Sequence, residues 1–405
     1  MFHGGLRRAR QRPSLPFRQM IEPPSSSSAL PPPSEPGEER VFVFRENDRG
    51  GEGPERMVAF KNVEVRALGY DVLVSARLHE PLTIPLGWDG ASVTHTNIPD
   101  LDLARFYSAN STLESPFTSN AIGLVKGGWL PSILAATRDN AVVLLDRNIV
   151  PQLLARFGDG KAAKPDFLDL FADRPVRLHP LLCVMEGNQR EIPGPDQVQA
   201  ELVVVAGKLA AAMPQAQVLA DPLMLRGALG LIEDARASFG CKQAFLMQVA
   251  PLLSTPVGKG RLPEVWRAIL AAADEAGVRR DALVVLAALS VAAIPNGRSP
   301  ATGLLKCRAQ YAPADAYNAL ADLRALELLM GLFAMYPHEQ IQLCTSDRAL
   351  ALFWSSLRAS NFRRLGDGFG YDLTPVDALL PKPALDRWLE SLPKSEADAR
   401  QAVVT

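Results

Sequence analysis

Hydrophobic and polar residues change their spacing several times along the chain, and each change predicts an element. Short β-type apolar runs at 41–44, 71–76 and 82–86 alternate with Gly, Pro and Asp clusters, which predicts a small β-rich accessory region over 40–130. Trp129, Leu130, Ile133 and Leu134 then recur at helical spacing before the run AVVLLD at 141–146. Five apolar residues in a row, mostly branched and closed by an acid, predict a central parallel strand covered on both faces. Helical periodicity follows over 180–188, 195–213, 223–239, 244–253, 262–276 and 281–293, with Pro193, Pro214, Pro256 and Pro295 as breakers. A longer helix is predicted over 314–335, where Leu320, Leu323, Leu326, Leu329, Met330 and Phe333 form one stripe. IQLCTSD at 341–347 repeats the pattern of an apolar strand ending in an aspartate. An amphipathic helix over 349–359 and a short strand at 363–365 complete the alternation. Strands alternating with helices predict an α/β fold, a parallel sheet flanked by helices.

Composition narrows this picture. The chain has 405 residues, so two or three structural units are expected. With 43 Lys and Arg against 44 Asp and Glu, bulk charge gives no drive toward nucleic acid or membrane, and any basic surface must be local. The first 39 residues, with PPSSSSALPPPSEPGEE at 23–39, are too rich in Pro and Ser to bury a core and predict a disordered tail. Its arginines at 7, 8, 10, 12 and 18 suit a solubilising tail better than an RNA contact. The most apolar stretch, 282–294, is shorter than the roughly 20 residues that span a bilayer and predicts a buried helix. Cys183, Cys241, Cys307 and Cys344 form no Cys-x-x-Cys pair, so neither a disulfide framework nor a zinc knuckle is expected, and the chain reads as cytoplasmic. A Gly-x-x-x-x-Gly-Lys loop, a Gly-x-Ser-x-Gly elbow and a His-Glu-x-x-His pair are all missing. The five histidines show no ligand spacing.

The candidate chemistry lies in acids at unusual places. Asp146 and Asp347 each close an apolar strand; if those strands are parallel neighbours, both carboxylates point into the crevice beyond the strand ends. Like charges there need a compensating proton or cation. Glu186 interrupts LLCVMEGNQR before a turn-forming Gly187, and Asp322 lies one turn after Asn318, off the leucine stripe. Such hard oxygen donors suit Mg2+ or Mn2+. Asp315, Glu327 and Asp367 compete for a metal-facing role. A lone acid after a strand is more often a helix N-cap than a ligand, so the ordered set carries the inference.

That order resembles the acidic quartet of PIN-domain nucleases: Asp146 in VVLLDRN, Glu186 in MEGNQR, Asp322 on the helix before the second strand, and Asp347 in the Thr345-Ser346-Asp347 turn. LTPVDALL at 373–380 is similar to that family's closing segment, and the likeness covers 140–190 and 304–380. The resemblance implies a PIN-like α/β domain over 131–380, interrupted by a helical insertion at 215–302 and followed by a C-terminal helix and tail at 381–405. It implies a metal-dependent hydrolase of phosphodiester bonds, an endoribonuclease above all, with DNA as the other substrate. Asp146, Glu186, Asp322 and Asp347 would be the metal ligands and catalytic set. Asn148, Lys306, Arg324, Thr345 and Arg348 would hold the acids or the substrate phosphates. A neutralising antitoxin-like partner, or another protein partner, is compatible with this reading; a membrane role is not expected, and oligomeric state stays open. The alternatives are a noncatalytic PIN-like interaction protein and a phosphohydrolase acting on a small nucleotide.

Overall fold

The computed structural model describes residues 42–392 apart from 47–55, 62, 100, 104, 137–140, 159–163, 172–174, 188 and 366–367. The expected tail at 1–39, Asp367 and the polar C-terminus therefore lie outside the described residues. Two compact units divide the chain: one holds residues 1–67 and 75–118, the other 68–74 and 119–405.

The first unit is antiparallel. Strands β1 (Phe42–Glu46), β2 (Arg56–Lys61), β3 (Glu64–Val65), β4 (Thr83–Thr96) and β5 (Phe106–Glu114) pair in the order β1-β2-β4-β3, with β5 also on β4. Alternate residues of β4, including Ile84, Leu86, Ala91 and Val93, are buried, the period-two signature of a sheet with one covered face. Arg66 ties the sheet together by donating to Ala109 O at 3.1 Å and Asn110 Oδ1 at 2.6 Å. The β-rich character matches expectation, but this unit ends at 118 rather than 130.

The second unit begins with α1 (Tyr70–Ser75), where a strand was expected over 71–76. Leu73 and Ala76 are buried while Val74 is 51% exposed, a helical rather than alternating pattern that overrides the β-branched valines. Next come β6 (Ile122–Val125) and β7 (Gly128–Pro131), and then α2 (Ser132–Ala136). Trp129 and Leu130 are thus in a strand, not the helix their spacing predicted. Gly127 and Gly128, with φ of 81° and 151°, make the tight reversal that closes this hairpin.

The remaining elements are β8 (Val142–Leu145), α3 (Val150–Leu153), β9 (Arg177–His179), α4 (Leu181–Glu186), α5 (Pro195–Ala212), β10 (Gln217–Val218), α6 (Pro222–Val249), α7 (Leu262–Glu275), α8 (Leu283–Ala293), α9 (Thr302–Leu305), α10 (Pro313–Met335), β11 (Ile341–Thr345) and α11 (Arg348–Leu357); the short β9 and β10 were not predicted, and α6 to α10 follow one another without a strand between them. A hairpin of β12 (Ser360–Leu365) and β13 (Gly368–Asp372) and a last helix, α12 (Lys382–Glu390), close the unit. The helices expected at 223–239 and 244–253 are one continuous α6 through Gly240, extended by a 3-10 turn at Ala250–Leu253. Helix α8 is buried on nearly every side, as its all-round apolar sequence requires. Among the described residues no helix is long and apolar enough to cross a membrane.

The main sheet runs β10-β9-β8-β11-β6-β7. Strands β10, β9, β8 and β11 are parallel; β6 lies antiparallel to β11, and β7 to β6. The sheet is consequently mixed, not wholly parallel. From β8 the chain builds outward through β9 to β10, then returns to lay β11 on the opposite side of β8. That reversal makes the β8–β11 seam a topological switch point, where open α/β sheets leave a crevice beyond their carboxyl ends.

Candidate functional site

The switch point is knitted by short side chains. Asp146 follows β8, is 9% exposed, and donates its own amide to Cys344 O of β11 at 3.0 Å. Its Oδ1 accepts from Arg147 N at 2.7 Å, and its Oδ2 accepts from Asn148 Nδ2 at 2.6 Å and from the Thr345 hydroxyl. Asn148 turns its Oδ1 to Ser346 N at 2.8 Å, and Thr345 Oγ1 accepts from Asp347 N at 2.9 Å. Asn148 and Thr345 therefore join the ends of two parallel strands that are close in space and far apart in sequence.

Asp347 is the N-cap of α11: its Oδ1 accepts from Ala349 N at 2.7 Å and Leu350 N at 3.1 Å. Its Oδ2 takes no part in the cap. One carboxylate oxygen is thus committed to the helix cap.

Two further carboxylates are brought to the same place. Asp322, on α10, is partly buried, and its pKa is raised well above the usual carboxylate range, first by burial and then by Asp347, Asp146 and Glu186; Lys306 opposes the rise. Glu186 ends α4, and burial followed by the charge of Asp146 pushes it up to about 7, while Arg147 and Arg324 pull it down. Asp146 is raised mainly by burial, which its hydrogen bonds from Thr345, Arg147 and Asn148 offset. The charges of Asp146, Glu186 and Asp347 thus all reach Asp322, and that of Asp146 reaches Glu186. Their donor chemistry, hard oxygens crowded in a partly desolvated crevice, fits a divalent cation. Among the described residues, no three His, Cys, Asp or Glu side chains are already arranged to hold one.

The cationic candidates separate. Lys306 is exposed at the left-handed residue that ends α9, and its charge reaches Asp322. Arg324 is only 8% exposed and donates Nη2 to Met185 O at 2.5 Å; Arg348 donates to Leu73 O at 2.6 Å and Val74 O at 3.0 Å. These two arginines were expected to meet substrate phosphates; in the structure they donate to main-chain carbonyls. Each serves the last turn of a helix, where carbonyls lack intrahelical donors: Arg324, buried, at α4, and Arg348, half-buried, at α1. The competing acids are engaged elsewhere: Asp315 pairs with Arg308, and Glu327 with Lys242 at 2.7 Å. His179 is kept neutral, its pKa lowered to about 4 by burial, and its Nδ1 accepts from Leu181 N at 3.3 Å at the start of α4.

Sequence reasoning missed Arg147 and Tyr317. Arg147 donates Nη1 to Gly187 O at 2.6 Å and pairs with Glu201 at 3.4 Å, and the Tyr317 hydroxyl donates to Glu186 O. Beyond Gly187 opens a groove of about 530 Å³ lined by Glu191, Gln197, Glu201, Val204 and Lys208 among others. No family model matches the chain, and neither a curated protein nor a solved structure matches it.

Proposed function

We propose that this chain is a metal-dependent PIN-like nuclease that hydrolyses phosphodiester bonds, with RNA as the favoured substrate. The observation that supports the reading is the pair Asp146 and Asp347 beyond the carboxyl ends of parallel neighbours β8 and β11, linked through Thr345, with the charges of both reaching Asp322 and that of Asp146 reaching Glu186. Crowded carboxylates at the place where such sheets bind ligands are costly unless a cation offsets them. When bound, Mg2+ or Mn2+ would lower the pKa of a water and stabilise charge on the leaving oxygen. Asp146 and Asp347 Oδ2 would hold the ion, with Asp322 beside them. Thr345 and Asn148 keep Asp146 aimed, so little ordering remains when the ion arrives. Glu186, with a proton affinity near neutrality, would take the proton of the attacking water. Lys306 would meet a substrate phosphate.

RNA, single-stranded DNA and nucleotides incubated side by side with Mn2+ test this reading. RNA cleavage that is lost in both Asp146→Asn and Asp347→Asn, in variants whose circular dichroism and melting show a folded chain, supports it; Asn still caps α11 in the second. Full activity in both variants sinks it. A second reading, a noncatalytic interaction protein on the same framework, draws on the capping by Asp347 and the saturated hydrogen bonds of Asp146. Calorimetric titration separates the two: saturable Mn2+ binding that Asp347→Asn removes disfavours the scaffold.

A further inference from the structure

The C-terminal end of α4 is held by side chains from distant parts of the chain. Cys183 O and Gly187 O accept from Arg147 Nη1 at 3.3 Å and 2.6 Å, Met185 O accepts from Arg324 Nη2 at 2.5 Å, and Glu186 O accepts from the Tyr317 hydroxyl. The last carbonyls of a helix have no partner within the helix, so a buried end must find donors somewhere. Here the donors are expensive ones. Arg324 is buried with Nη1 lacking any hydrogen-bond partner, and an orphan donor on a desolvated guanidinium costs stability. One ring steadies two of the three: Phe239 of α6 lies 5.4 Å from the Tyr317 ring and 5.9 Å from the Arg324 guanidinium.

We propose that Arg147, Tyr317 and Arg324 are positioning residues that fix the main chain beneath Glu186, and that Phe239 makes the helical segment 215–302 part of that device. This rests on the metal-site reading given above. The geometry supplies the reason. Bonds to Met185 O and Glu186 O immobilise the peptide planes on both sides of the Glu186 Cα, so its carboxylate swings from a fixed pivot. Tyr317 and Arg324 also bracket Asp322 on α10, so the same two bonds set the separation of the Glu186 and Asp322 backbones. Helix α6, which contributes none of the four acids, reaches them through Phe239.

The test uses the full chain as Tyr317→Phe, Phe239→Leu, Arg324→Lys and Arg324→Met, with Asp347→Asn as the reference. Each is titrated calorimetrically with Mn2+, and amide exchange is followed across residues 182–187. Residues that orient ligands from behind typically change metal affinity 10- to 100-fold when removed, so Tyr317→Phe and Phe239→Leu are expected to bind Mn2+ about tenfold or more weakly. Exchange should quicken across 182–187 and stay unchanged in β8 and β11. Arg324→Lys, which keeps a donor, should recover part of what Arg324→Met loses. Tyr317→Phe removes one oxygen atom and keeps the test open if an arginine variant does not fold. Wild-type Mn2+ affinity in the clamp variants, alongside lost binding in Asp347→Asn, overturns the proposal. Absence of saturable binding by the unmodified chain overturns the metal reading instead; exchange then decides the grip by itself, quickened rates supporting it and unchanged rates overturning it.

Discussion

Glu186 is the acid whose protonation falls within the working pH of most proteins, because burial and Asp146 push its pKa up to about 7. A raised folded pKa means that the native state binds the proton more tightly than the unfolded chain. The associated stability is therefore fully present below about 4.5 and is lost as pH rises through about 7, with an upper bound of roughly 3 kcal/mol. His179 has the opposite sign: held neutral with its pKa lowered to about 4, it loses stability for the fold as pH falls below the ordinary histidine value. A single melting curve mixes the two, whereas a variant isolates one. In metal-free protein, Glu186→Gln should melt above wild type by a margin that widens from about pH 5 to about pH 8; a margin independent of pH would contradict the placement of this carboxylate. Thr345→Val addresses the neighbouring bond. It removes the hydroxyl between Asp146 Oδ2 and Asp347 N, both partly or fully buried, and should lower stability in urea by about 1–3 kcal/mol, an unchanged midpoint showing the bond to be dispensable.

At the scale of elements, the turn after α4 is as constrained as its carbonyls. Gly187 has φ of 71° and ψ of 175°, a region that only glycine visits readily, and a Cβ there would come 3.4 Å from Glu191 O and Pro193. Gly187→Ala should cost about 1–3 kcal/mol in chemical denaturation and displace Arg147 from its carbonyl; an unchanged midpoint would show that the turn is not under this constraint. The elements most legible in the sequence were those whose pattern had one interpretation. Strand β8 is an unbroken apolar run closed by an acid, β11 is a mainly apolar run interrupted only by the buried Gln342 and followed by Asp347, and α10 carries a continuous stripe. Helix α1 and strand β7 were not legible, because six residues rich in valine and four residues containing tryptophan satisfy either period. Asp146 and Asp347 could be found because a strand end is a position that sequence marks. Arg324 could not be sorted from a surface arginine by charge alone. Its spacing held the signal, since it follows Leu320 by four residues and so continues the buried stripe. Tyr317, seven residues before it, lies on the same line.

Across the whole molecule, the second unit depends on a seven-residue strap, 68–74, that lies in sequence between β3 and β4. Leu68 exchanges hydrogen bonds with Trp129 at 2.8 Å and 3.0 Å, Trp129 Nε1 donates to Gly69 O at 3.1 Å, and Arg348 donates to Leu73 O and Val74 O. Leu73 and Trp129 are both fully buried. At about 1 kcal/mol for each hydrogen bond and about 1.5–3 kcal/mol for the leucine, a chain starting at residue 119 should lose several kcal/mol of stability. Its melting temperature should recover in part when a peptide spanning the strap is added in excess. Equal melting temperatures for the full and shortened chains would show the strap to be dispensable.

The polypeptide changes unit at 67/68, again at 74/75 and once more at 118/119. An accessory module attached in this way is stitched in rather than hung on an end. A shorter relative that did without it could not arise by a single deletion ahead of residue 68; it would have to splice residue 74 directly onto residue 119, or supply a different segment to cover Trp129.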